Sequence, residues 1–292
     1  MVDCQIPKSS DNPLVSVLLP VYNGGKFVAG TIASILNQSF GDFELIVIND
    51  GSTDDTKAVL EKVHDPRLRI IHKPNEGLGK TLNLGLRSAR GKYIARIDAD
   101  DLADPERLEK QVAFLEARPE IAVVGSASRV VYPDGTEQIR LRPLEPVSIR
   151  RHIIKVCPVA HPSVLMRTEA ALKVGGYDIS YDGSLGRSAG MDYHFWVRLL
   201  ARGYELANLP EPLLTLHKGR MSITGSKTLR FRLRERVRLR LWAKRTLGLG
   251  WKVYPEIALV IILTIINHLG FKVDKIFNSI TQYGGSWRDD DN

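Results

Sequence analysis

The stretch "LVSVLLPVYNGGKFVAGTIASILNQSFGDFELIVIND", Leu14 to Asp50, decides the fold. "LVSVLLPV" is an unbroken apolar run that reads as a buried strand, "GKFVAGTIASILNQ" spaces its apolar residues as a helix does, and "FELIVIND" is a strand again. The pattern then repeats. "STDDTKAVLEKV" opens with Ser52, Thr53 and Asp54 as cap candidates, and "LRIIHK", "GLGKTLNLGLRSA" and "KYIARID" continue the alternation. Such units predict an α/β class with a mainly parallel central sheet flanked by helices. Ligands of these sheets bind beyond the carboxyl ends of the strands. Pro20, Tyr22 and Asn23 after the first strand, Asp50 after the second and Asp98 after the fourth are therefore expected at one edge.

In "YIARIDADDLADP", Tyr93 to Pro105, an apolar run stops at Asp98, and Asp100, Asp101 and Asp104 follow. Carboxylates this close repel one another unless water, a cation or hydrogen-bond donors take up the charge. Asp104-Pro105 has the form of a helix cap and first helical residue. Asp98 and Asp100 suit a divalent-metal seat, with a solvated acidic turn as the alternative.

The chain has 292 residues, 43% of them hydrophobic, enough for one large or two small domains. No apolar segment with a basic flank opens it, and its two cysteines, Cys4 and Cys157, have no histidines at zinc-like spacing, so a reduced cytosolic setting is expected. From Lys227 to Lys252 ten Lys or Arg stand against Glu235 alone, so the remainder of this +8 chain sums to −1. That concentration argues for a local basic patch and against a nucleic-acid groove spread over the fold.

A helix to about Arg118 is followed by "IAVVGSASRVVYPDGTEQIRLR", two strand-like runs joined by Pro133-Asp134-Gly135, a hairpin signal. "DISYDGSLGRSAG" has no period and reads as a mobile loop, and "MDYHFWVRLLARG" is a helix stopped by Gly203. "PNEGLGKT" ends like a phosphate-binding loop but has Pro74 where that motif needs its first glycine, so Lys80 reads as a solvated helix lysine.

The blocks "VSVLLPVYNGGKFVAGTIASILNQSFGDFELIVINDGSTDDT", "NEGLGKTLNLGLRSARGKYIARIDADD", "HPSV", "GGYD" and "MDYHFWVRL", in that order over residues 14 to 222, resemble family 2 glycosyltransferases. The resemblance implies the nucleotide-diphospho-sugar transferase fold of GT-A type. It assigns nucleotide binding to Pro20, Val21, Tyr22 and Asp50, with Asn75, Gly77 and Asp98 also toward the donor. It makes Asp98 and Asp100 the D-x-D metal ligands, for Mn2+ or Mg2+, and His217 a group reaching the metal or the diphosphate, where Arg220 or Ser222 could join it. A hard cation held by one or two carboxylates and by phosphate oxygens lets the donor diphosphate approach the acidic strand end. An inverting transfer also needs a base on the acceptor hydroxyl. Relatives carry Glu-Asp at the start of the helix after the mobile loop; here the pair is Met191-Asp192, which gives the base role to Asp192 and leaves the first carboxylate's place unfilled. His161 of "HPSV" is expected to satisfy a buried hydrogen bond, and Trp196 to be core.

Beyond the catalytic region every second residue from Arg230 to Arg240 is arginine, in a segment of good helix formers without a turn residue before Gly248. "PEIALVIILTIINHLGF" then offers an apolar helix too short for the ~20 residues of a full span. Basic residues before such a helix suit an anionic leaflet at about 1 kcal/mol each; pairing between copies of the chain is the alternative. The division expected is an N-terminal segment 1–13, a catalytic domain 14–225 and a basic, apolar helical tail 226–292.

Together these readings predict a metal-dependent inverting glycosyltransferase at the inner face of the membrane. It would move a sugar from a nucleotide-diphosphate donor to a hydroxyl of a glycan or lipid-linked acceptor. UDP is the expected nucleotide, although Tyr22 and Asp50 leave GDP and dTDP open. A nucleotidyltransferase and a catalytically silent membrane-bound scaffold of the same fold are the alternatives.

Overall fold

The computed structural model describes residues 12–182, 190–219 and 229–268. The first half follows the expected alternation: β1 (Val15–Val21), α1 (Val28–Leu36), β2 (Phe43–Asp50), α2 (Thr56–Leu60), β3 (Leu68–Lys73), α3 (Leu78–Ser88) and β4 (Tyr93–Arg96). β2 and β4 flank β1, β3 lies outside β2, and all these pairs are parallel. The carboxyl ends of β1, β2 and β4 therefore share one edge.

Side chains alternate between two cores, as the pleat requires. Val15, Val17, Leu19 and Val21 of β1 face α1, α2 and the helix α4 (Arg107–Ala117), while Leu18 joins Ile46 and Ile48 beneath α3. That double burial is why these strands read as unbroken apolar runs. The second half of the sheet is mixed. β5 (Leu102–Ala103), β6 (Ile121–Val131), β7 (Glu137–Arg140), β8 (Leu165–Arg167) and β9 (Glu205–His217) extend it in the order β3-β2-β1-β4-β8-β6-β9-β5, with β7 beside the C-terminal end of β6. Of their pairings only β6 with β9 is parallel. The expected hairpin joins β6 to β7, and Gly135 supplies its positive φ of 80°.

The helices α5 (Pro146–His152), α6 (Thr168–Lys173) and α7 (Met191–Ala201) cover the α3 side of the sheet. The tail also packs there. α8 (Leu229–Thr246) and α9 (Tyr254–His268) contribute Leu239, Ala243 and Ile257 to the same apolar cluster as α3 and α7. α8 is a helix despite its alternating arginines: Leu239 and Ala243 face the core, and the buried Arg240 is accommodated there by its Nε donating to the Ile154 carbonyl. Arg236 Nη1 donates to Thr264 Oγ1 at 2.8 Å and ties α8 to α9. Among the described residues no helix is long and apolar enough to cross a membrane.

Candidate active site

The turns after β1 and β2 are latched to each other. Asn23, with φ 52°, donates its N–H to Ser52 Oγ at 2.9 Å and accepts at Oδ1 from the Thr53 N–H at 2.8 Å; Gly24 N donates to Thr56 Oγ1 at 2.9 Å. Pro20 and Val21 are buried in β1, whereas Tyr22 is 44% exposed just beyond it, placing an aromatic face at the strand edge.

Asp50 ends β2 almost fully buried. Its carboxylate accepts from Lys73 Nζ, from Glu76 N at 3.0 Å and from Gly77 N at 2.9 Å. A carboxylate offers about four acceptor positions, so its own chain takes most of them and roughly one remains for a ligand donor. The structure therefore gives Asp50 a second duty: it organises the turn bearing Asn75 and Gly77 at the start of α3. Asn75 is exposed there, and Gly77 is buried with φ 91°. Lys80 is solvated and paired with Glu76.

Asp98 lies two residues beyond β4, and Arg96 grips its carboxylate with two nitrogens, Nη1 at 2.8 Å and Nη2. Arg96 itself is buried, whereas the Asp98 side chain is 38% exposed. Thr31 Oγ1 of α1 donates to the carbonyls of Ala99 and Asp101 at 2.9 and 2.8 Å, which fixes the acidic loop. Asp101 turns inward. Burial, and then the charges of Asp98 and Asp100, push its carboxyl well above the usual carboxylate range, and its Oδ2 has no hydrogen-bond partner among the described residues. Asp104 accepts from Glu106 N at 3.1 Å, and α4 begins two residues after the Pro105 start expected from sequence.

These carboxylates fit a hard cation that takes one or two protein oxygens and completes its shell with phosphate and water. They do not form a complete protein cage. Among the described residues no three His, Cys, Asp or Glu side chains converge to hold an ion, so the set Asp98, Asp100 and His217 is not assembled here. His217 still ends near them: it lies two residues beyond Thr215, which pairs with Leu102 of β5 just after the acidic loop, so the end of β9 runs beside that loop. Arg220 and Ser222 lie outside the described residues, as do residues 183–189 of the expected loop.

Asp192 sits in the first turn of α7, half-buried, with the Cys157 thiol 3.7 Å from its Oδ2. Burial first, and then the Asp192 charge, push that thiol up to about 12, so it stays protonated. Met191 is buried beside Gly79 of α3, where an added Cβ would come within 2.9 Å of its sulfur. The departure from Glu-Asp thus replaces a charge with a packed apolar side chain. Gly79 N also donates to Asp182 Oδ2 at 2.6 Å, which anchors the start of the loop to α3.

Between the acidic loop and α7 stand His161 and Tyr177, with the His161 Nε2 and Tyr177 hydroxyl 2.9 Å apart. Burial, and then Arg96, lower His161 far below its ordinary value, so the imidazole is neutral. Burial raises the Tyr177 hydroxyl, and Asp192 and Asp98 both raise it further. Two carboxylates from distant parts of the sequence, Asp98 and Asp192, therefore lie close enough to one hydroxyl for both charges to act on it. Trp196 is fully buried, as expected of core. Sequence reasoning missed Arg96, Tyr177 and Cys157. For Arg96 a signal existed: an arginine two residues before Asp98 in an extended segment projects to the same side.

The family model of glycosyl transferase family 2 matches residues 16–173, more than half of the chain. The chain belongs to that family. It is 30% identical over 211 residues to the amylovoran biosynthesis glycosyltransferase AmsE of Erwinia amylovora, a match covering 70% of this chain and 77% of AmsE. Among solved structures, S. aureus TarS 1–349 in complex with UDP-GlcNAc superposes with a TM-score of 0.65 at 20% identity, covering 90% of this chain and 75% of that one. The mannosyltransferase PcManGT of Pyrobaculum calidifontis, in complex with GDP-Man and Mn2+, gives a TM-score of 0.56 at 18% identity, covering 95% of this chain and 81% of its own. The mixed sheet with flanking helices is thus the GT-A fold. As a family 2 member the protein is a glycosyltransferase, and the nucleotidyltransferase alternative is set aside.

Proposed function

We propose that this glycosyltransferase moves a sugar from a UDP-sugar to a hydroxyl of a glycan or lipid-linked acceptor, with inversion and with a divalent cation. One observation carries the reading: Asp98 at the D-x-D strand end and Asp192 on α7, distant in sequence, both come near enough to the Tyr177 hydroxyl for their charges to act on it. In the proposed site Tyr22 stacks on the base, and the open acceptor position of Asp50 takes a ring N–H. Asp98 and Asp100 hold Mn2+ or Mg2+, which when bound neutralises the charge developing on the departing diphosphate. Arg96 keeps the Asp98 carboxylate aimed outward. Asp192 removes the proton of the acceptor hydroxyl as its oxygen bonds to the anomeric carbon and the bond to the diphosphate breaks on the opposite face. His161, neutral and bonded to Tyr177, fixes the wall between the two carboxylates. The UDP-GlcNAc and Mn2+ complexes of the structurally similar proteins support the donor and metal classes.

We place the enzyme peripherally at the inner membrane face. Trp251, Tyr254, Ile262 and Ile265 are exposed on and just before α9, beside the exposed Arg245 and Lys252, and aromatic, aliphatic and cationic groups together suit an anionic leaflet. Incubation with UDP-, GDP- and dTDP-sugars and Mn2+ tests the donor assignment. Free UDP is the expected product; release of GDP or dTDP alone contradicts the base assignment, and release of no nucleoside diphosphate contradicts the transfer.

A further inference from the structure

Three guanidinium groups surround the Asp192 side of the site. Arg142, just after β7, is half-buried and donates from Nη1 to the Cys157 carbonyl at 3.1 Å, beside the thiol that touches Asp192. Arg140, the last residue of β7, stands close enough for its charge to act on Arg142. Arg240 comes from α8: its Nε donates to the Ile154 carbonyl at 2.8 Å and its guanidinium lies 3.8 Å from the centre of the Tyr193 ring. Among the described residues neither Arg142 nor Arg240 forms an ion pair, and Asp192 is the carboxylate that acts on Arg142. Burial lowers Arg142, yet a guanidinium remains protonated. A partly desolvated cation left without a counter-charge is costly. Asp192 is one carboxylate against the guanidinium groups of Arg142 and Arg240 around Cys157, a surplus of positive charge that an anion would relieve.

The field belongs to the acceptor side. Arg142 bonds the carbonyl of Cys157, and the thiol of that residue touches Asp192 at the start of α7. We propose that the acceptor carries a carboxylate or phosphate close to the hydroxyl that is glycosylated, and that Arg142 binds this anion by charge-assisted hydrogen bonds while Arg140 reinforces the field. The inference rests on Asp192 being the base, because that fixes where the accepting hydroxyl lies. Planar, bidentate recognition is what arginine offers over lysine.

The test uses the full chain, saturated with UDP and Mn2+ so that the diphosphate position is filled. Methyl β-D-glucuronide, methyl glucoside 6-phosphate and methyl glucoside are titrated by calorimetry. The expected result is that at least one charged probe binds about tenfold or more tightly than the neutral one, its identity separating carboxylate from phosphate. Arg142→Met brings that probe to the neutral probe's affinity, and Arg142→Lys keeps part of the preference. Equal or absent binding of the charged probes, or a preference that survives Arg142→Met, overturns the proposal. Melting temperature and UDP affinity of each variant verify its fold. Should UDP itself fail to bind, the nucleotide-sugar reading falls separately, and the same titrations without UDP still decide the role of Arg142.

Discussion

Asp192→Asn is expected to lower turnover by about 10²–10⁴-fold while UDP affinity stays at the parental value. The amide has the shape of the carboxylate but cannot accept the proton of the acceptor hydroxyl. The Cys157 contact at 3.7 Å is long and involves a thiol that stays protonated, and Arg142, which loses the Asp192 charge, keeps its bond to the Cys157 carbonyl. The first turn of α7 loses one favourable charge, worth about 0.3–1 kcal/mol, too little to unfold the domain. The groups proposed to hold the donor, Tyr22, Asp50, Asp98 and Asp100, belong to other elements and keep their geometry. Steady-state release of UDP with acceptor present, combined with UDP titration, separates the effects. A variant that turns over at the parental rate removes Asp192 from the chemistry, and one that loses UDP binding makes it part of the donor site.

The second large effect is on stability. Asp50→Ala is expected to destabilise the protein by about 3–5 kcal/mol and to weaken UDP binding with it. The carboxylate is nearly buried and holds Lys73, whose side chain is 10% exposed, together with the N–H groups of Glu76 and Gly77. Its removal leaves a buried ammonium with only the partly exposed Glu76, 3.4 Å away, as counter-charge and frees two backbone donors. At about 2–4 °C per kcal/mol for a domain of this size the melting temperature should fall by roughly 10 °C. Asp50→Asn keeps an acceptor oxygen and should fall less. Calorimetric melting of both variants is the measurement. An Asp50→Ala protein with the parental melting temperature would show that the turn before α3 holds without the carboxylate.

The parallel half of the molecule was legible because its strands are buried on both faces and its turns carry local signals. Val15–Val21 and Phe43–Asp50 could be read as strands from a few consecutive residues. Asp98 and Asp192 were singled out through block order, a property of the linear chain, and their roles stay proposals. What could not be read are contacts between segments far apart in sequence. Tyr181 stacks on His194, and His194 on Trp242 of α8, with ring centroids 4.0 and 4.1 Å apart. That stack docks the tail on α7, whereas composition alone presented the same segment as a free basic helix. The nearness of His217 to the acidic loop is of the same kind, since it comes from the pairing of Thr215 with Leu102, two segments far apart in the chain. Met191 looked like a lost carboxylate in sequence, while in the fold it is an apolar side chain packed at the start of α3.

In the proposed function the donor diphosphate reaches the acidic end of β4 only through a cation, and equilibrium titration of UDP into the full chain with Mn2+ and then with EDTA tests this most directly. Tight uptake with Mn2+, lost on chelation and weak under both conditions for Asp98→Asn, is the predicted result. Equal affinity with and without the ion would contradict it.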